Sequence, residues 1–219
     1  MTFNTNESSP VGRPLSCAWS VVSRPATSSG TFSAPTNCTA SNYIADVVGL
    51  HVLRFTVSDS LGVTASCDTT VEVLPSGDLW IELTWNVNND LDLHLLHPSG
   101  GNRRNANTWS SPPYDCYYAN KTPDWDLQGN VADDPSLDRD VVSGMGPENT
   151  RINVASTSHV YWVGVHMYSW SASPTPVVAT VRIYCAGQLK QTIPGSVDFK
   201  NAGAAGCLFT ADGQTVNVP

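Results

Sequence analysis

Hydrophobic and polar residues alternate with a period of two along much of the chain, which is the mark of strands buried on one face. Residues 15–22 place Cys17, Trp19 and Val21 on one side. Residues 51–57 do the same with His51, Leu53, Phe55 and Val57, and a turn at Asp59-Ser-Leu-Gly62 leads into a strand over 63–73. After Pro75-Ser-Gly-Asp78, strands are expected at 79–85, 91–96, 161–168, 179–185 and 189–193. A final hairpin is expected over 207–218, turning at Asp212-Gly213. No window combines a 3.6-residue period with helix caps. Short strands at intervals of roughly ten residues predict an all-β protein of two tandem β-sandwiches, residues 1–75 and 79–219, held close by a short join.

Composition narrows the class. Of 219 residues 41% are hydrophobic and only 14% charged, so a disordered chain is excluded. The net charge of −8 argues against a nucleic-acid partner, because phosphate binding needs a surplus of Lys and Arg. No stretch approaches the roughly 18 apolar residues of a membrane span.

The surplus charge is concentrated. Residues 115–148 hold 8 acids and 2 bases, a net of −6, equal to that of the whole segment 76–219 with its 14 acids and 8 bases. Little periodicity survives between Ser99 and Thr150, and a loop of that length is normally functional or pinned by something other than a core. Clustered carboxylates repel unless a cation compensates. In Asp90-Leu-Asp92-Leu-His94-Leu, strand geometry sets Asp90, Asp92 and His94 on one face and the leucines on the other. Solvated surface charge is the plain reading of that face. The chemical one is a discontinuous Ca²⁺ site. Asp90 and Asp92 would come from the strand, Asp138, Asp140 and Glu148 from the loop, with Asp133 or Asp134 adding a ligand. An EF-hand does not fit, since counting from Asn88 puts Leu93 at the glycine position and Ser99 at the final glutamate position.

Other chemistry is less well supported. On neighbouring strands, His94 and His166 would be able to join Asp92 around Zn²⁺; the favoured expectation is that both histidines hydrogen-bond carboxylates in a structural network. No H-E-x-x-H, G-x-S-x-G or phosphate-loop motif occurs. Metal-clustered acids suit glycoside hydrolysis poorly, because a bound cation strips the proton a general acid must hold. Trp109, Tyr114, Tyr117, Tyr118 and Trp125 would grip sugars or proteins if exposed, and the favoured expectation is that they fill the gap between loop and sheet.

Six cysteines, at 17, 38, 67, 116, 185 and 207, form no C-x-x-C and point to disulfides in an oxidising compartment, hence a secreted or cell-surface protein. One local bridge per domain is expected, Cys116 with Cys185 in the second. Sequons at Asn6, Asn37 and Asn120 agree weakly with export. No signal peptide opens the chain, so Met1 is read as the start of a mature fragment.

Two family resemblances carry the reading further. Cys17-Ala-Trp-Ser-Val-Val-Ser-Arg-Pro25, Ala45-Asp-Val-Val-Gly49 and Leu53-Arg-Phe-Thr-Val-Ser-Asp-Ser-Leu-Gly62 resemble a polycystic-kidney-disease (PKD) repeat, an Ig-like sandwich. Two departures stand out: His51 replaces the usual aromatic, which removes a buried Tyr hydrogen bond, and the usual first strand is absent. Leu83-Thr-Trp-Asn, Asp90-Leu-Asp-Leu-His94, Gly144-x-Gly-Pro-Glu148 and Val163-Gly-Val-His-Met-Tyr168 look like a largely uncharacterised bacterial secreted β-sandwich family, found after PKD-like repeats in myxobacterial-type surface proteins. The pairing is also similar to the PKD plus pre-peptidase C-terminal (PPC) layout, which implies a jelly-roll-like second sandwich that uses calcium.

These resemblances imply a non-catalytic, adhesin-like module with structural calcium. Its partner would be a protein or polysaccharide at the cell surface, or copies of itself through a donated strand. The alternatives are part of a secreted metal-dependent hydrolase, or a domain binding carbohydrate or matrix protein.

Overall fold

The computed structural model describes residues 1–9, 11–100, 109–169, 177–197 and 208–209. The protein is all-β, with strands and no helix among the described residues, so none of those residues forms a helix able to cross a membrane. The chain divides into two compact units, Met1–Leu74 and Pro75–Pro219.

The first unit has two three-stranded sheets. One is ordered β1 (Thr2–Asn4), β4 (Ala40–Ile44), β3 (Thr31–Phe32); the other β2 (Leu15–Ser23), β5 (Gly49–Asp59), β6 (Thr64–Val73). Cys17, Trp19, Leu53 and Phe55 of one sheet pack against Phe32 and Tyr43 of the other. Trp19 and Phe55 are register partners with ring centroids 4.6 Å apart. A disulfide joins Cys17 to Cys38.

Two expectations for this unit change. β1 pairs antiparallel with β4, so an N-terminal strand is present where none was expected. His51 keeps a tyrosine rather than losing one: its Nε2–H donates to the Val47 carbonyl (2.9 Å), so Nδ1 accepts from the Tyr43 hydroxyl (2.9 Å). A buried imidazole with both nitrogens satisfied costs the core little.

The second unit has a five-stranded sheet, ordered β10 (Pro135–Arg139), β11 (Glu148–Ile152), β7 (Leu79–Trp85), β13 (Val177–Cys185), β14 (Gln188–Val197). Its four-stranded sheet runs β15 (Leu208–Phe209), β12 (Trp162–Ser169), β8 (Asp90–Leu96), β9 (Asp115–Cys116). Their shared core takes Ile81 and Leu83 from β7, Leu91, Leu93 and Leu95 from β8, Val165 and Met167 from β12, and Val181 and Ile183 from β13. Each such side chain contributes about 1.5–3 kcal/mol by leaving water.

The region expected to be one long loop contains β9, β10 and β11. β11 escapes the sequence pattern for a physical reason. Its partners Leu83, Ile81 and Leu79 on β7 face the core, and they stand opposite Glu148, Thr150 and Ile152. Two of the three inward positions are polar, so no hydrophobic alternation is visible.

The expected Cys116–Cys185 bridge is not formed; both are buried free thiols within the second core, on strands of different sheets. Burial pushes the Cys116 thiol up to about 12, so it is unreactive at neutral pH. Cys67 is free and exposed on β6. Cys207 and most of the expected final hairpin lie outside the described residues.

Candidate metal centre

β8 is buried on both faces. Its leucines enter the core, while Asp90, Asp92 and His94 on the opposite face are 7%, 2% and 1% exposed. They are therefore not solvated surface charge. Aromatic residues of the following segment cover His94. The Tyr117 ring stacks on His94 at 5.3 Å, and Trp109 lies 5.1 Å from it. Trp109, Tyr117 and Trp125 are all buried, as expected for rings that fill the gap between loop and sheet, whereas Tyr114 is exposed.

Trp109 is seated on a glycine. A Cβ at Gly164, the register partner of His94, would fall 2.1 Å from the Trp109 ring. Gly164→Ala should therefore displace that ring and cost about 1–3 kcal/mol, the usual penalty of overpacking. The expected readout is a melting temperature lower by about 2–10 °C with a red shift in tryptophan emission. An unaltered melting curve and spectrum would show that Trp109 does not pack there.

A second segment reaches the same place through the Gly144-x-Gly-Pro-Glu148 turn. Asn88 Oδ1 accepts from Gly144 N (2.7 Å) and Ser143 Oγ (3.1 Å). The Gly144 carbonyl accepts from Trp85 Nε1 (2.8 Å) and Asn89 N (3.0 Å). Gly146 has φ +84°, and a Cβ there would sit 2.9 Å from the Leu83 carbonyl oxygen, so only glycine lets the turn lie this close to β7. This strap delivers Asp140 on one side and Glu148 on the other.

Glu148 is fully buried and bridges the two sheets. Its Oε2 accepts from Leu93 N (2.7 Å) and its Oε1 from Val141 N (2.9 Å). Leu93 N is available because β9 pairs with β8 only at Leu95 and Leu96. Asp92, Asp140 and Glu148 each place one carboxylate oxygen within 4.8 Å of the others. Asp90 joins this field. Burial, with the negative charges of Asp92 and Asp140, pushes its carboxyl up to about 6. Burial likewise pushes Glu148 up to about 8, against the pull of its two backbone N–H donors. Asp90 Oδ2 accepts from Ser169 Oγ (3.4 Å), but its Oδ1 is buried with no hydrogen-bond partner. The local positive charge is modest: Lys121 Nζ, on a half-exposed side chain, is 3.5 Å from Asp140 Oδ2.

The other sequence candidates go elsewhere. Asp138 faces Arg151 at 3.8 Å. Asp134 Oδ1 accepts from Trp125 N (2.6 Å), and Asp133 Oδ2 from Asn130 Nδ2 (3.0 Å). Asp133 and Asp134 hold the acidic segment's own turns, Asp138 pairs across β10 and β11, and none of the three groups with Asp92, Asp140 and Glu148.

Two histidine clusters complete the picture. His94 and His166 lie on paired strands and group with Asp92. His97, Asp126 and His159 form another group, with His97 Nε2 at 3.0 Å from Asp126 Oδ1. Asp126, Asp133 and His159 line an open depression of about 510 Å³. Sequence reasoning missed this second cluster, since neither His97 nor His159 stands in an alternating pattern beside an acid.

Compared with family models, curated proteins and solved structures, the chain finds no match.

Proposed function

We propose that this is a secreted or cell-surface, non-catalytic binding module whose second unit is pinned by a structural Ca²⁺ held by Asp90, Asp92, Asp140 and Glu148. The observation that carries the reading is the meeting of three carboxylates from two separate segments, Asp92, Asp140 and Glu148, with Asp90 in their field and its Oδ1 buried and unpartnered. Carboxylates crowded beside one half-exposed lysine are mutually repulsive and poorly hydrated, which a divalent cation corrects. Oxygen-only donors suit Ca²⁺, with backbone carbonyls and water able to complete six to eight ligands. Each Glu148 oxygen keeps a lone pair after accepting its N–H.

The ion would act as a clasp between β8, the strap and β11. Burial of Asp90, Asp92 and Glu148 favours a structural over a catalytic role, because a catalytic metal needs an open position in a cleft. The Cys17–Cys38 disulfide supports an oxidising location. The likeness to PKD and PPC pairings supports a protein or polysaccharide partner at the cell surface.

The test is thermal unfolding of metal-stripped protein with and without added Ca²⁺. Calcium at about 100 times its Kd should stabilise the second unit by about 2.7 kcal/mol, and Asp140→Asn should abolish most of that gain. Superimposable melting curves with and without calcium would sink the reading.

A further inference from the structure

The histidine pair beside the carboxylates differs chemically from them. β8 and β12 run antiparallel with Asp92 opposite His166 and His94 opposite Gly164. The three side chains emerge on one face, and Gly164 contributes no side chain beside them. One donor atom from each of Asp92, His94 and His166 lies within 4.8 Å of the other two. His166 Nδ1 is 3.3 Å from Asp92 Oδ2. In a tetrahedral site with bonds of about 2.0–2.1 Å the donors stand roughly 3.4 Å apart, so small side-chain rotations bring this set to ligating distance.

The tautomer of His94 is decided by its neighbour. Nδ1 lies 2.8 Å from Asp115 Oδ2, and Asp115 is fully buried and held by Ser110 N on the same oxygen (2.6 Å). A carboxylate accepts, so Nδ1 carries the proton and Nε2 presents its lone pair. That Nε2 is buried and without a hydrogen-bond partner, a state that ordinarily costs about 1–3 kcal/mol. Tyr117 stacked on one ring contact and Trp109 on another hold the imidazole in place. A carboxylate behind a histidine whose far nitrogen is open is the arrangement that orients metal-binding imidazoles.

The second histidine cluster makes the contrast. His97 Nδ1 accepts from Ser99 N (3.2 Å), so its Nε2 must carry the proton that it gives to Asp126. His97 therefore has no lone pair to offer a metal, whereas His159 Nδ1, 3.4 Å from Asp126 Oδ2, is buried without a hydrogen-bond partner.

We infer that Asp92, His94 and His166 form a site for a borderline divalent metal, Zn²⁺ by donor chemistry, with Asp115 as a positioning residue for His94. Two imidazoles and one carboxylate favour Zn²⁺ over Ca²⁺, which takes oxygens. Three protein donors leave a fourth position, and His166, about a quarter exposed, marks the side that solvent reaches. This inference stands independently of the calcium reading, although the two sites would share Asp92.

The experiment is calorimetric titration of Zn²⁺ into the metal-stripped, calcium-free full chain, with Co²⁺ absorption as a second readout. Wild-type protein should bind one Zn²⁺ and give the intense visible bands of tetrahedral Co²⁺. His166→Ala, at a partly exposed position, should weaken Zn²⁺ at least 100-fold with the melting temperature of the metal-free protein unchanged, and Asp115→Asn by about 10–100-fold. In calcium-free protein Asp140→Asn, which removes no zinc donor, should leave Zn²⁺ affinity within about threefold, while a separate calcium titration of the same variant loses its response, which separates failure of this inference from failure of the calcium one. Zn²⁺ binding that survives His166→Ala, that is lost instead in His159→Ala, or that is absent from folded wild-type protein would overturn it.

Discussion

Replacing Glu148 by alanine should cost the calcium-loaded protein about 3–5 kcal/mol, the largest single-residue effect expected in the second unit. Its two oxygens satisfy the amides of Leu93 and Val141 inside the protein. Deleting the carboxylate leaves both donors buried without acceptors, at about 1–3 kcal/mol each. It also empties space at a fully buried position and removes a ligand of the proposed ion. The metal-free protein has no ligand to lose, and its Glu148 keeps its proton at neutral pH, so the cost of the substitution should be smaller there. Glu148→Gln should fall between, because the amide accepts from one N–H and turns a donor toward the other. Denaturant titrations read the change as a lower midpoint at constant slope. Hydrogen exchange should show the Leu93 and Val141 amides losing protection. A loss under about 1 kcal/mol with protection unchanged would mean that Glu148 is not the bridge between the sheets.

The second large effect is a pH dependence opposite to that of most proteins. In metal-free protein, stability should fall as pH rises from about 4.5 to about 8. Glu148 is raised from 4.5 to about 8 and Asp90 from 3.8 to about 6, in both cases chiefly by burial. Below the unfolded values both states are protonated and the full stability is present. As pH climbs, the unfolded chain releases these protons while the folded one retains them. The folded state then binds more protons, and stability declines until the folded groups also ionise. The summed effect is on the order of a few kcal/mol.

Asp46 in the first unit works the other way. Hydrogen bonds from Ser28 and Ser29, opposing its burial, hold its carboxyl below 3.8, so its contribution is present above that value and lost only in stronger acid. The two windows do not overlap. Saturating calcium should flatten the decline, because the ion keeps the carboxylates charged in the folded state. Melting temperatures of chelator-treated protein at pH 5 and pH 8 decide the matter: a flat or rising profile would show that Glu148 and Asp90 ionise freely in the folded protein.

Much of this arrangement is legible along the chain. The alternation in β2, β5, β7, β8, β12 and β13 follows from a rule that a linear sequence carries: one face meets a core and the other does not. The same rule puts Leu91, Leu93 and Leu95 inward and Asp90, Asp92 and His94 on the reverse face. The charge count singles out the segment that supplies Asp140 and Glu148. What the chain does not display is that the reverse face of β8 is also buried, because the rings that cover it, Trp109 and Tyr117, lie in a segment without period. Nor does it display β11, whose inward positions are Glu148 and Thr150.

The choice among acids is the sharpest case. Asp133, Asp134, Asp138, Asp140 and Glu148 are equivalent as letters in an acidic run. The strap from Asn88 to Gly144 and the open amide of Leu93 admit Asp140 and Glu148, while Arg151 and the amide of Trp125 engage Asp138 and Asp134. Likewise His94 and His97 differ only in what faces Nδ1, a carboxylate in one case and a backbone N–H in the other. The sequence by itself determined the strands, their faces and the sign of the charge, because those depend on neighbours one and two residues away. Only the tertiary structure decided which carboxylates meet and which imidazole nitrogen is open, because those depend on partners tens of residues distant, brought together by sheet pairing.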